Sequence, residues 1–510
     1  MRKKYVGKRI TSVILCAAIA AGLLTGCGGE KSEKEAKGET NASGLEHVTL
    51  HFLLYGDKKS ATDEVWDAIA EYTKDELNCD FDVQFIAGDD YKQKLTVKAA
   101  TGDSWDMNFD SNWTGYYQMI KKDAYMNLDE LLPKYAPDLY KAYEEKGVLD
   151  AAKSKGHIVA LPWTMKMNNR PFFQWRGDLA EKAGLNIDPS TITDLESVDK
   201  LLHQLKEAYP DKQIVETAEV SGDGWNGWSV VDPDMGLYIN LNDPECKVVQ
   251  AEDIPEFTEM AQYAKKWQDD GIIPKDIINN KQDPNSLINQ GKLITKWGTH
   301  EYSNTQRAWV EPDARWDSNE VYEDALFANR TPMANAMCIP ATAENPERVL
   351  MFLNMVETDQ KLYDMVQYGI EGKTYVLNGE EAAYPDGMDS ASSNYMEWGG
   401  QWALWKPQFM RPNASFTEGF WEREEEYANS SDKNVVSPLE GFSFDASEVT
   451  TQAAQRNQIF GDAKKLICVG LAGDPEKAIE KCKADSKAAG FDEVIKEYQA
   501  QIDEFLAAEK

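Results

Sequence analysis

The chain has 510 residues and sets 54 Lys and Arg against 87 Asp and Glu, a formal net charge of −33 at pH 7. That surplus excludes nucleic acid and anionic polymers as main partners, because both need a basic footprint, and it favours a neutral or cationic ligand. The length exceeds one ordinary hydrophobic core and predicts two domains.

The first 26 residues join Arg2, Lys3, Lys4, Lys8 and Arg9 to the apolar run Ile10–Leu24. The run is too short for a spanning helix and gives way to small and polar residues, the pattern of a secretory signal. The leader takes basic residues and no acidic ones, so the remainder is more acidic still. Leu24-Thr25-Gly26-Cys27 resembles the bacterial lipobox. That resemblance implies cleavage before Cys27, a diacylglycerol on its sulfur, and a soluble domain anchored at the extracytoplasmic face of the cell membrane. Residues 27–46 are mostly Gly, Ser, Glu and Lys; with almost nothing to bury, they predict a disordered tether.

From His47 the pattern becomes that of a folded domain. Val48–Tyr55 is strand-like, with Val48, Leu50, Phe52 and Leu54 on one face. Thr62 caps a helix carrying Val65, Ile69 and Tyr72, and Phe81, Val83 and Phe85 mark a second strand. Asp90–Thr101 follows as a helix, then Trp105–Phe109 as a third strand that ends at Asp110-Ser111-Asn112-Trp113 and enters another helix. The β-α-β-α-β-α order predicts an α/β fold with helices on both faces of a sheet. Trp113 and Tyr116 stand where a strand hands over to a helix, the place where open α/β sheets bind ligands. An apolar helix start also buries such a ring, so wall of a cleft and core are both open for Trp113.

Gly156–Trp163 is a Gly-started strand ending in Pro-Trp, where the chain leaves the first domain. Phe172–Arg176 opens a second βα series, and Thr193 or Asp194 caps a helix that buries Val198, Leu201, Leu202 and Leu205. The Gly-rich loop Ser221–Trp228 presents Trp225 and Trp228. Pro255 begins a helix whose Phe257, Met260, Ala264 and Trp267 recur at helical spacing, which makes Trp267 a core residue. Lys292–Trp297 is a strand that meets Gly298-Thr299-His300. Ala334–Pro340 is another, followed by the helix start Asn345-Pro346, and from Ser392 onward the pattern is mainly helical. Beyond Cys27, the cysteines Cys79, Cys246, Cys338, Cys468 and Cys482 are odd in number with no close pair. This excludes a disulfide framework and a zinc spacing and leaves open only a Cys468–Cys482 bridge.

The order of these segments resembles the family 1 extracellular solute-binding proteins of ABC importers. Gly102-Asp103-Ser104-Trp105-Asp106 is similar to their turn into the third strand, with Trp105 in place of a proline. Gly156–Trp163, Lys292–His300 and Met337–Phe352 resemble further segments, although Ala341 and Ala343 replace a Lys and a Ser. Tyr368–Tyr375 (YGIEGKTY), Ser437–Asp445 (SPLEGFSFD) and the tail from Ala489 are similar to the large lipoprotein branch that includes LipO. The resemblance spans nearly the whole mature chain. It implies two α/β lobes joined by a hinge, with a helix-rich C-terminal region, that close on a ligand and hand it to membrane permeases. It places residues 47–162 plus about 320–358 in lobe 1 and residues 163–319 plus about 359–510 in lobe 2, with crossings near Pro162, residue 320 and residue 360.

Tryptophan accounts for 15 residues, several at strand ends or in Gly loops. A flat indole packs on the C–H face of a pyranose and loses little conformational entropy on binding. Trp113, Trp163, Trp225 and Trp297 are therefore the first ligand-binding candidates, meeting across a closed cleft. Trp228, Trp398, Trp402 and Trp405 rank behind them. The last three lie at helical spacing that fits one buried face, although the family places an aromatic segment there, which keeps Trp398 and Trp402 as candidates. Tyr55, Asp57, Asp110, Asn112, His300, Glu301 and Glu371 are the polar candidates for sugar hydroxyls. Lys166, Arg170 and Arg176 would hold the carboxylate of an acidic sugar, leaving neutral and acidic sugars both open.

The expectation is an extracellular lipid-anchored, monomeric binding protein, not an enzyme, without cofactor or metal, that delivers an oligosaccharide to ABC permease subunits. A non-sugar solute such as a peptide is the alternative. A secreted glycoside hydrolase, which would need two carboxylates across a cleft, has no distinguishing motif in so acidic a chain.

Overall fold

The structure, a computed structural model, describes residues 40–508 apart from 42, 89, 166, 221–223, 281, 283, 300–313, 390–391, 414–418 and 431. The leader, Cys27, Lys166, His300 and Glu301 lie outside the described residues. Among the described residues no helix is long and apolar enough to cross a membrane.

The first lobe is built on β1 (Val48–Tyr55), β2 (Cys79–Ile86) and β3 (Met107–Asp110). β1 pairs in parallel with β2 along its whole length and with β3 at Phe52 and Leu53. The strand Ala336–Cys338 returns antiparallel to β3, and Leu161–Pro162 completes the sheet. Leu50, Phe52 and Leu54 are buried and Thr49 and His51 exposed, the alternation the sequence predicts, and only towards the strand's end is the opposite face also covered, at Leu53. Helices packed on both sides of the sheet there account for it. Thr62 is the first residue of its helix rather than the cap; its hydroxyl accepts from the Lys59 N–H at 3.0 Å. The helix expected after β3 is short, Tyr116–Ile120.

The second lobe departs from a βα repeat. Phe172–Arg176 lies between Thr295–Gly298 and Trp316–Glu320, antiparallel to both, beside a sheet of short antiparallel strands spanning Gly224 to Gln250. Asp194, with Ser197, forms the capping box of the helix Leu195–Ala208. Trp267 is buried, as its spacing predicts. The C-terminal helices Thr450–Ile467, Pro475–Ala488 and Phe491–Ala508 pack here around the buried ion pair Arg456–Glu252 at 2.6 Å. Cys468 and Cys482 are buried and free, so the possible bridge is not made.

The cores correct the expected course of the chain after residue 358. Leu362, Tyr363, Val366, Tyr368, Tyr375, Tyr395, Trp398 and Leu404 belong to the same apolar core as β1 and β3. The helix Gln360–Gln367 buries one side, and that side finds its partners in the first lobe. Residues 360–404 therefore pack with the first lobe's core rather than the second's. The three crossing segments run together. Arg330 N–H donates to Met167 O at 3.0 Å, and Phe327–Ala328 pairs in parallel with Asn434–Val435.

Candidate functional site

At the carboxyl end of β3 the chain turns sharply, and the turn sets the first aromatic platform. Asp110 is fully buried; its carboxylate accepts from Ser111 N–H at 2.8 Å, Thr114 Oγ1 at 2.6 Å and the Tyr125 hydroxyl. Burial pushes its pKa up to about 6 against these hydrogen bonds. Asp110 is thus the internal brace of the turn rather than a sugar contact, because its acceptor sites are spent on the fold. The braced turn projects Trp113, which is 50% exposed, the largest open ring at this strand end. Its Nε1–H donates to Ala334 O at 2.8 Å, which fixes the plane of the indole.

Tyr55, at the end of β1, meets Trp113 edge-on with centroids 5.3 Å apart and Trp402 at 5.9 Å. Trp402 reaches this position because two glycines let two backbones touch. Gly56 and Gly399 form an antiparallel bridge, and a Cβ on Gly399 would lie 2.6 Å from Gly56 Cα. The short 3₁₀ helix Gly400–Leu404 then lays Trp402 beside Tyr55. Beyond it, Trp405 stacks on Trp163 at 6.2 Å and 19° and contacts Trp421 at 4.7 Å. Trp402 and Trp405 line one cavity of about 230 Å³ with Gln367, Glu397, Gln401 and Asn413.

Of the residues singled out in the sequence, Tyr55, Trp113 and Trp402 come together. Asn112 is exposed beside them and lines a second cavity, of about 170 Å³, with Tyr117 of the first lobe and Ser229, Val230 and Glu440. Trp163 is adjacent but only 1% exposed, a support under Trp405 rather than an open face. The other candidates lie elsewhere. Trp225 stacks on Tyr238 at 5.0 Å, and Trp297 packs edge-on against Phe173 at 4.8 Å; both are in the core of the second lobe and do not face Trp113. Their strands end inside an antiparallel sheet, where a large ring is needed for packing. Trp398 is buried against Phe85 and donates to Val366 O at 3.3 Å. Glu371 is exposed on a turn bridged to Tyr375 and lines neither cavity. Arg170 is buried, paired with Glu320, and donates to Ala325 O, Tyr322 O and Glu323 O; Arg176 pairs with Asp178 at 2.7 Å. Both guanidinium groups hold the second lobe and its crossing segment together, not a ligand carboxylate.

Sequence reasoning ranked Trp405 low, on helical spacing with Trp398 and Trp402. A spacing of three and four suggested one buried helical face, but the 3₁₀ turn and the glycine bridge split that face, burying Trp398 and leaving Trp402 and Trp405 half-open.

Two α/β lobes linked by three crossing segments, with an aromatic shelf at the carboxyl ends of the strands, define a hinged binding protein that encloses a small solute. Residues 56–361, more than half of the chain, match the bacterial extracellular solute-binding protein family, and the chain belongs to that family. Residues 438–507 match a domain of unknown function, DUF3502. A carbohydrate ABC transporter substrate-binding protein of Streptococcus pneumoniae is 28% identical over 521 residues, covering 100% of this chain and 99% of the relative. The crystal structure of the N-glycan transport solute-binding protein NgtS of the same species has a TM-score of 0.75 at 24% identity, covering 91% of this chain and 100% of that one. NgtS in complex with Man1GlcNAc has a TM-score of 0.68 at 24% identity, covering 90% and 100%.

Proposed function

We propose that this chain captures an oligosaccharide between its two lobes and delivers it, unchanged, to the permease subunits of an ABC importer. The observation that carries the reading is the half-exposed Trp113, held flat by its bond to Ala334 O and continued by Tyr55 and Trp402. A half-open indole of fixed plane, backed edge-on by Tyr55, suits a pyranose face, whereas a peptide would call for a strand edge or backbone-binding groove. The relative's role in carbohydrate transport and the Man1GlcNAc in the NgtS complex support the sugar reading.

In this reading lobe 1 comprises residues 47–162 with about 333–404, and lobe 2 comprises about 172–321 with the C-terminal helices. Asn112, Trp113, Tyr55, Trp402 and Trp405 contact the ligand. The protein works as a monomer at the extracytoplasmic membrane face, anchored through lipid on Cys27. Calorimetry with neutral oligosaccharides, uronate oligosaccharides and peptides tests the function. Saturable, stoichiometric sugar binding without product formation is the expected result; turnover, or binding of peptides alone, refutes it. Cys27→Ala should move the protein from the membrane fraction to the medium.

A further inference from the structure

The cavity of about 170 Å³ beside Asn112 lies between the lobes. Asn112 and Tyr117 reach it from lobe 1, Ser229 and Val231 from a strand of lobe 2, and Glu440 from the segment that leads into the C-terminal helices. It is smaller than the roughly 300–1,000 Å³ of sites for drug-sized ligands, so it takes one ring or its substituents rather than a chain of them. The local sequence puts Glu440 in its wall. Leu439 and Phe442 pack into the apolar core beneath the second lobe's sheet, and Glu440 between them is left half-buried at the cavity. Its Oε1 accepts from the Thr331 hydroxyl. Its Oε2 has no hydrogen-bond partner among the described residues and, unlike Asn329 Oδ1 in the same wall, is not sealed from solvent.

Two more polar groups stand unpaired around the same space. Ser229 is only 6% exposed, and the alternation of a strand puts it on the face of Val231, which packs against the core that holds Leu439. Its hydroxyl has no partner among the described residues. Asn112 is exposed beside Trp113; its backbone N–H is tied to Met333 O at 2.9 Å, and its side-chain amide has no partner among the described residues. Among the described residues Glu440 is the one charged group lining the cavity. The neighbouring cations are turned elsewhere: Lys121 donates to Ser443 O at 2.9 Å and Arg330 to Thr299 Oγ1 at 3.3 Å. Burial raises the Glu440 pKa against the bond from Thr331, as befits a carboxylate short of donors. The hydroxyls of a neutral sugar donate to it and also pair with Ser229 and Asn112. A sugar carboxylate there would bring a second negative charge with no cation between the two, and like charges at close range repel.

We propose that Glu440 is a specificity-determining residue of the ligand site: with Asn112 and Ser229 it hydrogen-bonds the hydroxyls of a neutral sugar unit enclosed between the lobes beside Trp113, and it excludes a uronate from that position. The proposal rests on the oligosaccharide reading above and adds the residue that selects the sugar class. It is tested by calorimetry on the full chain with neutral hexose oligosaccharides and the matching hexuronate oligosaccharides. The neutral ligand should bind at least about tenfold more tightly than its uronate counterpart. Glu440→Gln keeps the side-chain length and an oxygen for Thr331, so its melting temperature should stay near that of the wild type. Its affinity for the neutral ligand should fall about tenfold, and its preference for neutral over uronate should shrink toward one. A residue that merely braced the crossing segment would leave that preference unchanged. Ser229→Ala, on the opposite wall, should weaken the neutral ligand by about fivefold. Equal affinity of the unmodified protein for the two ligands overturns the proposal, as does an unchanged preference in Glu440→Gln or wild-type affinity in either variant. Should Glu440→Gln fail to fold, the unmodified protein and Ser229→Ala still decide the matter. Absence of binding by any saccharide would instead overturn the oligosaccharide reading, and this proposal with it.

Discussion

Replacing Trp113 by Ala tests the shelf directly, and the structure gives the size of the effect. An indole presents about 150–250 Å², and with half of it exposed about 100 Å² is open to a ligand. A pyranose covers one face, about 50 Å², which at about 25 cal/mol per Å² amounts to about 1.3 kcal/mol, or about tenfold in Kd. The buried half of the ring and its bond to Ala334 O add a stability cost of about 3–4 kcal/mol, below the 5–15 kcal/mol that holds a typical domain. The variant should therefore fold and bind about tenfold more weakly by calorimetry. Trp113→Phe keeps a stacking face but loses the N–H tether, and should weaken binding by a smaller factor. A Trp113→Ala protein that melts cooperatively and binds within about twofold of wild type would refute the shelf.

Gly399→Ala forces a Cβ to within 2.6 Å of Gly56 Cα at a φ of 115°, and should cost at least about 2 kcal/mol by urea unfolding; it should also weaken sugar binding because Trp402 loses its seat. Arg456→Ala strands Glu252, which is as fully buried as Arg456 itself. It should cost about 3–5 kcal/mol, while the sugar affinity of the folded fraction stays unchanged, since neither residue approaches the shelf. Burial holds the Asp110 pKa at about 6, above the ordinary 3.8 of an aspartate, so the native state binds the proton more tightly. Its contribution is fully present below about 3.8 and is lost as pH rises through about 6, to a total of about 3 kcal/mol. Asp110→Asn should therefore flatten the fall in melting temperature between pH 4 and pH 7 relative to wild type, and parallel pH profiles would contradict the shift.

Periodicity carried the first lobe because its strands and helices are local. The Phe81, Val83, Phe85 alternation and the Asp90–Thr101 helix appear where the pattern predicts them. What could not be read locally was pairing. Phe172–Arg176 looks the same in sequence whether its neighbours run parallel or antiparallel, and it proved antiparallel to both. The amphipathic helix Gln360–Gln367 shows that it must bury a face, but not against which lobe. The site divided on the same principle. A Trp at a strand end can close a core or open onto a cleft, and the choice depends on what packs over it. Trp297 has Phe173 against it, whereas Trp113 meets Tyr55 edge-on and Phe109 at a tilt and stays half exposed. Trp402 carried only a weak signal, because its place beside Tyr55 comes from the contact of Gly56 with Gly399, two positions far apart in the chain.

The way the shelf is fastened also locates the bending between lobes. Three successive carbonyls of the returning segment are taken by shelf residues: Met333 O accepts from Asn112 N–H at 2.9 Å, Ala334 O from Trp113 Nε1–H at 2.8 Å, and Asn335 O from Trp163 N–H at 3.0 Å. Met333 and Ala336 lie in the first core, and Val321 lies in the second. The segment beyond Met333 is thus bolted to the aromatic shelf and moves with it. Any rotation of the second lobe must be absorbed by backbone dihedrals between Val321 and Met333, and by the neighbouring segments hydrogen-bonded to that stretch at Arg330 and at Phe327–Ala328. Hinges are placed where a few residues take up the change in φ and ψ while packed units stay rigid. If the proposed function holds, the aromatic shelf should stay fixed to lobe 1 while lobe 2 closes over it.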